Sequence, residues 1–324
     1  MPEEIRRNSY AEADRMRVQE EVARAVATNT ERFLAAYQAH PESFGGRYIC
    51  ADLFKETFPQ YAESREARNR YNNPVHNAAA VLSAEHYRRT VADPGHPERH
   101  TVVFFTGSPG AGKTSSILSA GELPPHVKAV FEGQLVNPAT TIPKIQQAID
   151  AGLRSVIYAV HARPETALAN TFHRFETLGR GASINTMATI QGGLPAGLEA
   201  VRQHFSGTVE IKVIDNRDQA NRSVLVGWHD LELLGSEGNY EQIKHRLTAA
   251  LEQRRAAGTI TEACYRQASG AAPLGPGSGV VAEDVARHET HGRGPGVSGD
   301  RRGATFLSSG EKSPSTPIDM QAGI

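Results

Sequence analysis

The sequence predicts an α/β protein whose parallel sheet of about five strands is flanked by helices. Short apolar or β-branched runs alternate with longer segments of helical periodicity over most of the 324 residues, which is typical of parallel sheets. One apolar run, "VVFFTG", also breaks into a glycine-rich loop. The net charge of −1 and the lack of a basic stripe interleaved with aromatic residues argue against a nucleic-acid partner.

The elements are predicted in chain order from the spacing of their apolar residues. Residues 1–45 form a helical N-terminal arm of one or two charged amphipathic helices, and residues 46–268 form the α/β domain. The predicted strands are 48–51, 102–106, 127–131, 155–160 and 209–214. The predicted helices between them are 74–91, 114–120, 143–151, 165–178 and 195–205.

Residues 269–324 are rich in Gly, Pro and Ser, and we expect a disordered C-terminal tail because such a segment buries too little apolar surface to offset its ordering entropy. The two cysteines, Cys50 and Cys264, fit a reducing compartment. No apolar stretch approaches the roughly 20 residues of a membrane helix, and the first residues do not resemble a signal peptide. We therefore expect a cytoplasmic protein with no membrane partner.

The glycine-rich loop matches the P-loop pattern G-x-x-x-x-G-K-[ST] and lies between a predicted strand and a predicted helix. Its glycines allow successive backbone N–H groups to surround phosphate oxygens. Lys113 would contact the β- and γ-phosphates, and the hydroxyl of Thr114 would bind Mg²⁺. The sequence thus predicts a P-loop NTPase or kinase fold that binds ATP and Mg²⁺. The expected nucleotide-binding residues are Gly107, Ser108, Pro109, Gly110, Ala111, Gly112, Lys113, Thr114 and Ser115.

Four charged residues follow predicted strands and could belong to the same site, because parallel strands place their carboxyl ends at one sheet edge. Asp52 ends the first strand and is equally well interpreted as a helix N-cap. Glu132 leaves the third strand before a glycine and is either a turn residue or a site residue. Arg174 and Arg180 follow the fourth strand, where an arginine can also be solvated or paired with a neighbour.

Several segments together resemble the zeta toxin family, bacterial P-loop kinases of toxin–antitoxin systems. "ICADLFKETFPQY" resembles the family's D-x-F segment, with Asp52, Phe54 and Pro59 matching its Asp, Phe and Pro. "FEGQL" resembles the E-G-T motif, "FHRFETLG" an arginine segment, and "LPAGLEAV" and "IKVIDNRD" the late helix and final strand. The resemblance covers residues 47–217.

The resemblance implies catalytic roles for particular residues. It makes Asp52 the base that accepts the proton of the substrate hydroxyl, and Lys113 and Thr114 the phosphate and Mg²⁺ ligands. Arg174 and, less closely, Arg180 match cations that stabilise the transferring phosphoryl group. This division suits phosphoryl transfer, whose loose transition state is stabilised mainly by positioning and charge neutralisation.

The resemblance also implies an acceptor and a partner. Glu132 and Gln134 would bind the substrate, UDP-N-acetylglucosamine, and the kinase would phosphorylate the 3′-hydroxyl of its sugar. A separate antitoxin protein would bind the kinase. Three features depart from the family. The Asp segment precedes the P-loop by about sixty residues, Cys50 replaces a first acid, and Gln134 and Val136 replace the threonine and basic residue of the E-G-T region.

Two other functions remain open from the residues. The chain could be a kinase of another nucleotide or dinucleotide, or an NTP-driven switch without an acceptor substrate. A kinase needs Asp52 as a base, whereas a switch would tolerate Asn there. The arm likewise has three interpretations: it restrains the site, it is the docking surface for a separate antitoxin, or it covers a face of the sheet, as parallel sheets require.

Overall fold

A computed structural model describes residues 4–114, 122–218 and 220–273. Six strands in this part of the chain form one sheet in the order β1-β3-β2-β4-β5-β6, in which only β6 runs antiparallel to its neighbour. The strands are Tyr48–Cys50 (β1), Thr101–Gly107 (β2), Val127–Glu132 (β3), Arg154–His161 (β4), Glu210–Asp215 (β5) and Ser223–Val226 (β6).

Helices lie before, between and after the strands, and they cover the sheet. Those of the first half are Ala13–Thr28 (α1), Thr30–Ala39 (α2), Ala51–Phe54 (α3), Pro59–Ala62 (α4), Arg65–Tyr71 (α5) and His76–Ala92 (α6). Those of the second half are Pro138–Asp150 (α7), Pro164–Leu178 (α8), Ile184–Phe205 (α9), Leu231–Gly235 (α10), Tyr240–Ala256 (α11) and Glu262–Ser269 (α12). None of the helices described is long and apolar enough to cross a membrane.

The predicted α/β class and all five predicted strands are confirmed, whereas the antiparallel strand β6 was not predicted. Helices α7 and α9 begin well before their predicted starts, and each continues through an internal proline, Pro143 and Pro195. The predicted helix 114–120 lies outside the described residues beyond Thr114. The same holds for the predicted tail beyond residue 273.

Parallel pairing aligns the carboxyl ends of three neighbouring strands. Cys50 at the end of β1 pairs with Glu132 at the end of β3, and Glu132 also pairs with Phe105 near the end of β2. The glycine-rich loop therefore leaves the sheet two strands away from Asp52, with Glu132 between them. Sequence order does not matter for this arrangement, because only the strand ends have to meet.

The N-terminal arm packs into the same hydrophobic core as the sheet. Its helices α1 and α2 bury Val22, Val26 and Leu34 against that core. Tyr37 also satisfies the outer edge of β1: its hydroxyl donates to Tyr48 O at 2.6 Å and accepts from the N–H of Cys50 at 3.0 Å. This packing favours the interpretation that the arm covers the sheet.

We expect Tyr37→Phe to lower the free energy of unfolding by about 1–3 kcal/mol, because two buried backbone groups of β1 lose their partner. Urea unfolding followed by circular dichroism measures the change. Tyr265→Phe is the control, since the hydroxyl of Tyr265 bonds Glu252 at the exposed surface. Equal stability of the Tyr37→Phe variant and the wild type would contradict the structural role of the arm, as would a soluble, folded chain lacking residues 1–40.

Candidate active site

At three positions, the glycine-rich loop after β2 has a backbone conformation that only glycine adopts readily. Gly107, Gly110 and Gly112 have φ values of 141°, 78° and 100°. A Cβ on Gly110 would lie 2.1 Å from the carbonyl oxygen of Ala167 in α8, so every other residue would collide there. The sequence pattern of the loop thus reflects both its turn and its packing against α8.

Two asparagines that were not identified from the sequence anchor the loop. Asn170 donates its side-chain N–H to Gly110 O at 2.8 Å, and Asn216 donates to Ala111 O at 2.7 Å. These bonds turn two loop carbonyls outward toward α8 and the end of β5. These two hydrogen bonds therefore hold the loop in a fixed shape before any ligand binds.

Lys113 closes over the loop, where its ammonium donates to Gly107 O at 2.8 Å and to Ser108 O at 3.1 Å. The hydroxyl of Ser108 is buried and has no hydrogen-bond partner in the described part of the chain. An ammonium whose hydrogen bonds to described residues are to neutral carbonyls, and an unpartnered hydroxyl, are both groups that phosphate oxygens can satisfy.

Glu132 lies between the loop and β1. The phenol of Tyr48 donates to Glu132 Oε2 at 2.5 Å, and Lys113 Nζ is 3.8 Å from Glu132 Oε1. Burial raises the pKa of Tyr48 well above its usual value, so the phenol keeps its proton and remains a donor. Tyr48 therefore holds one carboxylate oxygen and leaves the other near the lysine.

Asp52 stands in the first turn of α3, whose N-cap is Cys50, so the N-cap interpretation of Asp52 is wrong. Lys55, one turn later, places its buried ammonium 2.7 Å from Asp52 Oδ1 and donates to Asn72 Oδ1 at 2.7 Å. Arg180 lies 3.8 Å from Asp52 Oδ2. Lys55 holds the pKa of Asp52 well below its usual range; burial opposes this shift, and Arg180 and Arg174 add to it. Asp52 is ionised.

The two predicted arginines differ in how they are paired. Arg180 lies between two carboxylates, 3.8 Å from Asp52 and 3.6 Å from Glu56, and Glu56 also pairs with Arg68 at 3.0 Å. The side chain of Arg174 makes no hydrogen bond or ion pair with any residue that the structure describes. Its position on α8 brings it near Asp52, close enough to lower the pKa of that carboxyl.

Two clefts meet at this edge of the sheet. We call the cleft of about 530 Å³ that contains Gly107, Lys113 and Glu132 cleft A. The adjoining cleft of about 620 Å³, which contains Lys55 and Arg180, is cleft B. The residues that line both are Asp52, His76, Pro109, Gln134, Arg174 and Ile190.

The predicted site residues are largely brought together by the fold. Asp52, Lys113, Glu132, Gln134, Arg174 and Arg180 all line one or both clefts. Ser115 lies outside the described residues. Besides the two asparagines, sequence reasoning missed Lys55, Tyr48 and His76. The nearby ammonium of Lys55 lowers the pKa of His76, which favours the neutral imidazole near pH 7.

The described residues include no group of three or more His, Cys, Asp or Glu side chains that could hold a metal ion. Mg²⁺ commonly binds through one or two carboxylates together with substrate phosphates. Asp52 and Glu132 are carboxylates at this edge of the sheet.

Comparison with known proteins finds distant structural similarity but no family model or curated sequence that matches. A crystal structure of AvrRxo1-ORF1:AvrRxo1-ORF2 with sulphate ions is similar at 10% identity and a TM-score of 0.43, covering 79% of this chain and 89% of that one. The native AvrRxo1-ORF1:-ORF2 complex is similar at 12% identity and a TM-score of 0.36, covering 80% and 86%. Similarity this distant carries no conclusion about activity.

The Lys55–Asp52 ion pair generates a prediction that needs no substrate. We expect Lys55→Met to raise the pKa of Asp52, because the substitution keeps the side-chain volume and removes the main cause of the lowered value. A pH titration of the Asp52 carboxyl by ¹³C NMR measures the shift. In the wild type the pair stabilises the fold above the unfolded pKa of about 3.9, and this contribution disappears as the pH falls through the lowered folded pKa.

Lys244→Met on α11, which lines neither cleft, is the control and should leave the Asp52 titration unchanged. An unchanged Asp52 pKa in Lys55→Met would show that the arginines, rather than Lys55, set the charge state of this carboxyl.

Proposed function

We propose that the chain is an ATP-dependent phosphotransferase that acts on a hydroxyl of a nucleotide-linked acceptor. The observation that supports this most is the convergence of an ionised carboxylate, a loop lysine and an arginine without an ion-pair partner among the described residues around two adjoining clefts. Asp52, Lys113 and Arg174 come from three separate elements, yet all reach the same sheet edge. Transfer of a phosphoryl group between two ligands requires two binding sites that meet at a base and a cation.

In this proposal the loop binds the triphosphate. Lys113 would exchange its bonds to Gly107 O and Ser108 O for the β- and γ-phosphate oxygens, and the Ser108 hydroxyl would gain an acceptor. Thr114 would hold Mg²⁺ together with those phosphates; when bound, the ion neutralises charge on the phosphate oxygens.

Asp52 would orient the acceptor hydroxyl and take its proton. A carboxylate with a lowered pKa is a weak base, but the loose transition state of phosphoryl transfer forms the new O–P bond late. The hydroxyl becomes acidic only as that bond forms, so an ionised, well-placed carboxylate is sufficient. Lys55 keeps Asp52 ionised and fixes its position throughout.

Arg174 and Arg180 would neutralise the phosphoryl group as it moves from the ATP to the acceptor. Arg174 has a guanidinium without an ion-pair partner among the described residues, so binding an anion breaks no existing contact there. Among the described residues, Arg180 makes ion pairs of 3.6 Å with Glu56 and 3.8 Å with Asp52, which are longer than hydrogen bonds, so its guanidinium keeps donors for a phosphate.

Cleft A offers the groups that a sugar ring needs. The carboxylate of Glu132 can accept hydrogen bonds from sugar hydroxyls, and Gln134 lies where both clefts meet. The resemblance to zeta toxins makes UDP-N-acetylglucosamine the first acceptor to test, with other nucleotide-linked hydroxyls as alternatives because Gln134 and Val136 depart from the family there. On the same resemblance, the proposal includes a separate antitoxin protein that binds the kinase.

The test is to incubate the full chain with ATP, Mg²⁺ and a panel of nucleotide sugars and dinucleotides, and to analyse the products by mass spectrometry. We expect one acceptor to gain the mass of one phosphate. Lys113→Ala should abolish that product while keeping the fold, because the lysine contacts the loop and not the hydrophobic core. Undiminished turnover in Lys113→Ala would remove the loop from the reaction.

The Asp52→Asn variant distinguishes between a kinase and an NTP-driven switch. The variant keeps the shape of the side chain but not the proton acceptor, so we expect turnover to fall by roughly 10²-fold or more while the affinity for ATP changes little. Steady-state kinetics on the identified acceptor and calorimetric titration of a non-hydrolysable ATP analogue measure the two quantities. Wild-type turnover in Asp52→Asn would favour the switch.

Arg174→Ala should lower turnover on the order of 10³-fold, since it removes a cation from the transferring group. Arg174→Lys should recover only part of that loss, because lysine keeps the charge and loses the planar fork that matches phosphate. Arg163→Ala serves as the control, since Arg163 lines neither cleft. Full activity of Arg174→Ala would identify Arg174 as an ordinary surface residue.

A further inference from the structure

Cleft B has a wall that the proposed chemistry does not use. The N-terminal arm contributes Tyr10 and Arg15 to it, and α5 contributes Asn69. Arg174 and Arg180 line it from the other side, next to Asp52. Of the described part of the glycine-rich loop, only Pro109 borders this cleft, whereas Gly107 and Lys113 line cleft A.

Arg15 is an unusual residue to find inside a helical arm that covers a core. It is only 6% exposed, although arginine is almost never fully buried without partners. Its guanidinium lies 4.3 Å from the ring centre of Tyr10, and one nitrogen, Nη1, pairs with Glu12 Oε2 at 3.2 Å. Its Nε is buried and has no hydrogen-bond partner in the described part of the chain.

The other two guanidinium groups of cleft B also have donors to spare. Each guanidinium carries five N–H donors in a planar fork. Arg180 has two long ion pairs, and neither it nor Arg174 makes a side-chain hydrogen bond to any described residue. Three guanidinium groups around one cleft, each with donors unfilled by described residues, indicate an anionic ligand, and phosphate is one of the anions that match the planar fork.

We propose that cleft B binds the phosphate groups of the acceptor, and that Arg15 makes the N-terminal arm part of this binding site. The inference rests on the proposed function, since it places the reacting groups of both ligands in cleft A and the remainder of the acceptor in cleft B. Lys113 and Glu132 in cleft A hold the reacting phosphate and the sugar, and the remainder of a nucleoside diphosphate conjugate extends past Asp52 into cleft B. Both volumes fall within the roughly 300–1,000 Å³ of small-molecule sites.

Pyrophosphate is the probe, and the test uses the full chain saturated with Mg²⁺ and a non-hydrolysable ATP analogue, so that the loop is occupied. Calorimetric titration should detect pyrophosphate binding to the wild type, with affinity reduced at least about tenfold in Arg15→Gln. Arg17→Gln is the matched control, because Arg17 lies on the same helix with 68% of its side chain exposed. Its pyrophosphate affinity should equal that of the wild type.

Asn69→Asp is a second variant that leaves the buried arginine in place. It adds a negative charge to the wall of cleft B, so it should also weaken pyrophosphate binding. If circular dichroism shows that Arg15→Gln is unfolded, Asn69→Asp decides the test. Wild-type affinity in the folded variants, or the absence of pyrophosphate binding to the wild type, overturns the proposal.

Two further outcomes separate this inference from the proposed function. If Arg15→Gln weakens binding of the ATP analogue instead of pyrophosphate, cleft B belongs to the nucleotide site and the inference is wrong, while the kinase activity can stand. If no acceptor is phosphorylated but Arg15→Gln still reduces pyrophosphate binding, the anion site is supported and the proposed kinase function fails.

Discussion

The parallel alignment of β1, β3 and β2 is the constraint on which the rest of the site depends. Because these strands end at the same edge, Asp52, Glu132 and the glycine-rich loop come together although the loop follows Asp52 by about sixty residues. β1 is short and lies at the edge of the sheet, so one of its sides has no neighbouring strand among the residues that the structure describes. Tyr37 of the arm satisfies that side. The position of Asp52 thus depends on a tyrosine that precedes it by fifteen residues.

Elements and residues with a strong local signal were predictable from the sequence. The continuous apolar runs of β2 and β4 reflect strands buried on both faces, and the spacing of the loop glycines reflects backbone conformations with positive φ. Strand β6 has neither signal: it has four residues, it is mostly exposed, and β5 is its only partner in the described part of the chain. Helices α7 and α9 were predicted too short because Pro143 and Pro195 were interpreted as helix starts, which is where proline is usually tolerated.

The site residues missed from the sequence share one property: their roles exist only through tertiary contacts. Asn170 and Asn216 are ordinary polar residues until the fold brings their amides to the loop carbonyls. Lys55 is three residues after Asp52, a spacing that puts both side chains on one side of a helical turn, so this pairing was accessible in principle. The burial of Lys55 could not be predicted, because lysine is rarely buried without partners and the sequence does not show that Asn72 is its second partner.

The cations around Asp52 differ in how firmly they are held, and this difference suggests how the site can exchange partners. Lys55 is buried and bonded at 2.7 Å to both Asp52 and Asn72, so removing it from the carboxylate would leave a buried charge unpaired. Arg180 has only long ion pairs, and Arg174 has none among the described residues. In the proposed reaction, an arriving phosphate would recruit the two arginines, while Lys55 would stay on Asp52. The carboxylate would then remain ionised and fixed while the charge around it is redistributed, which is what a residue that orients a hydroxyl during phosphoryl transfer requires.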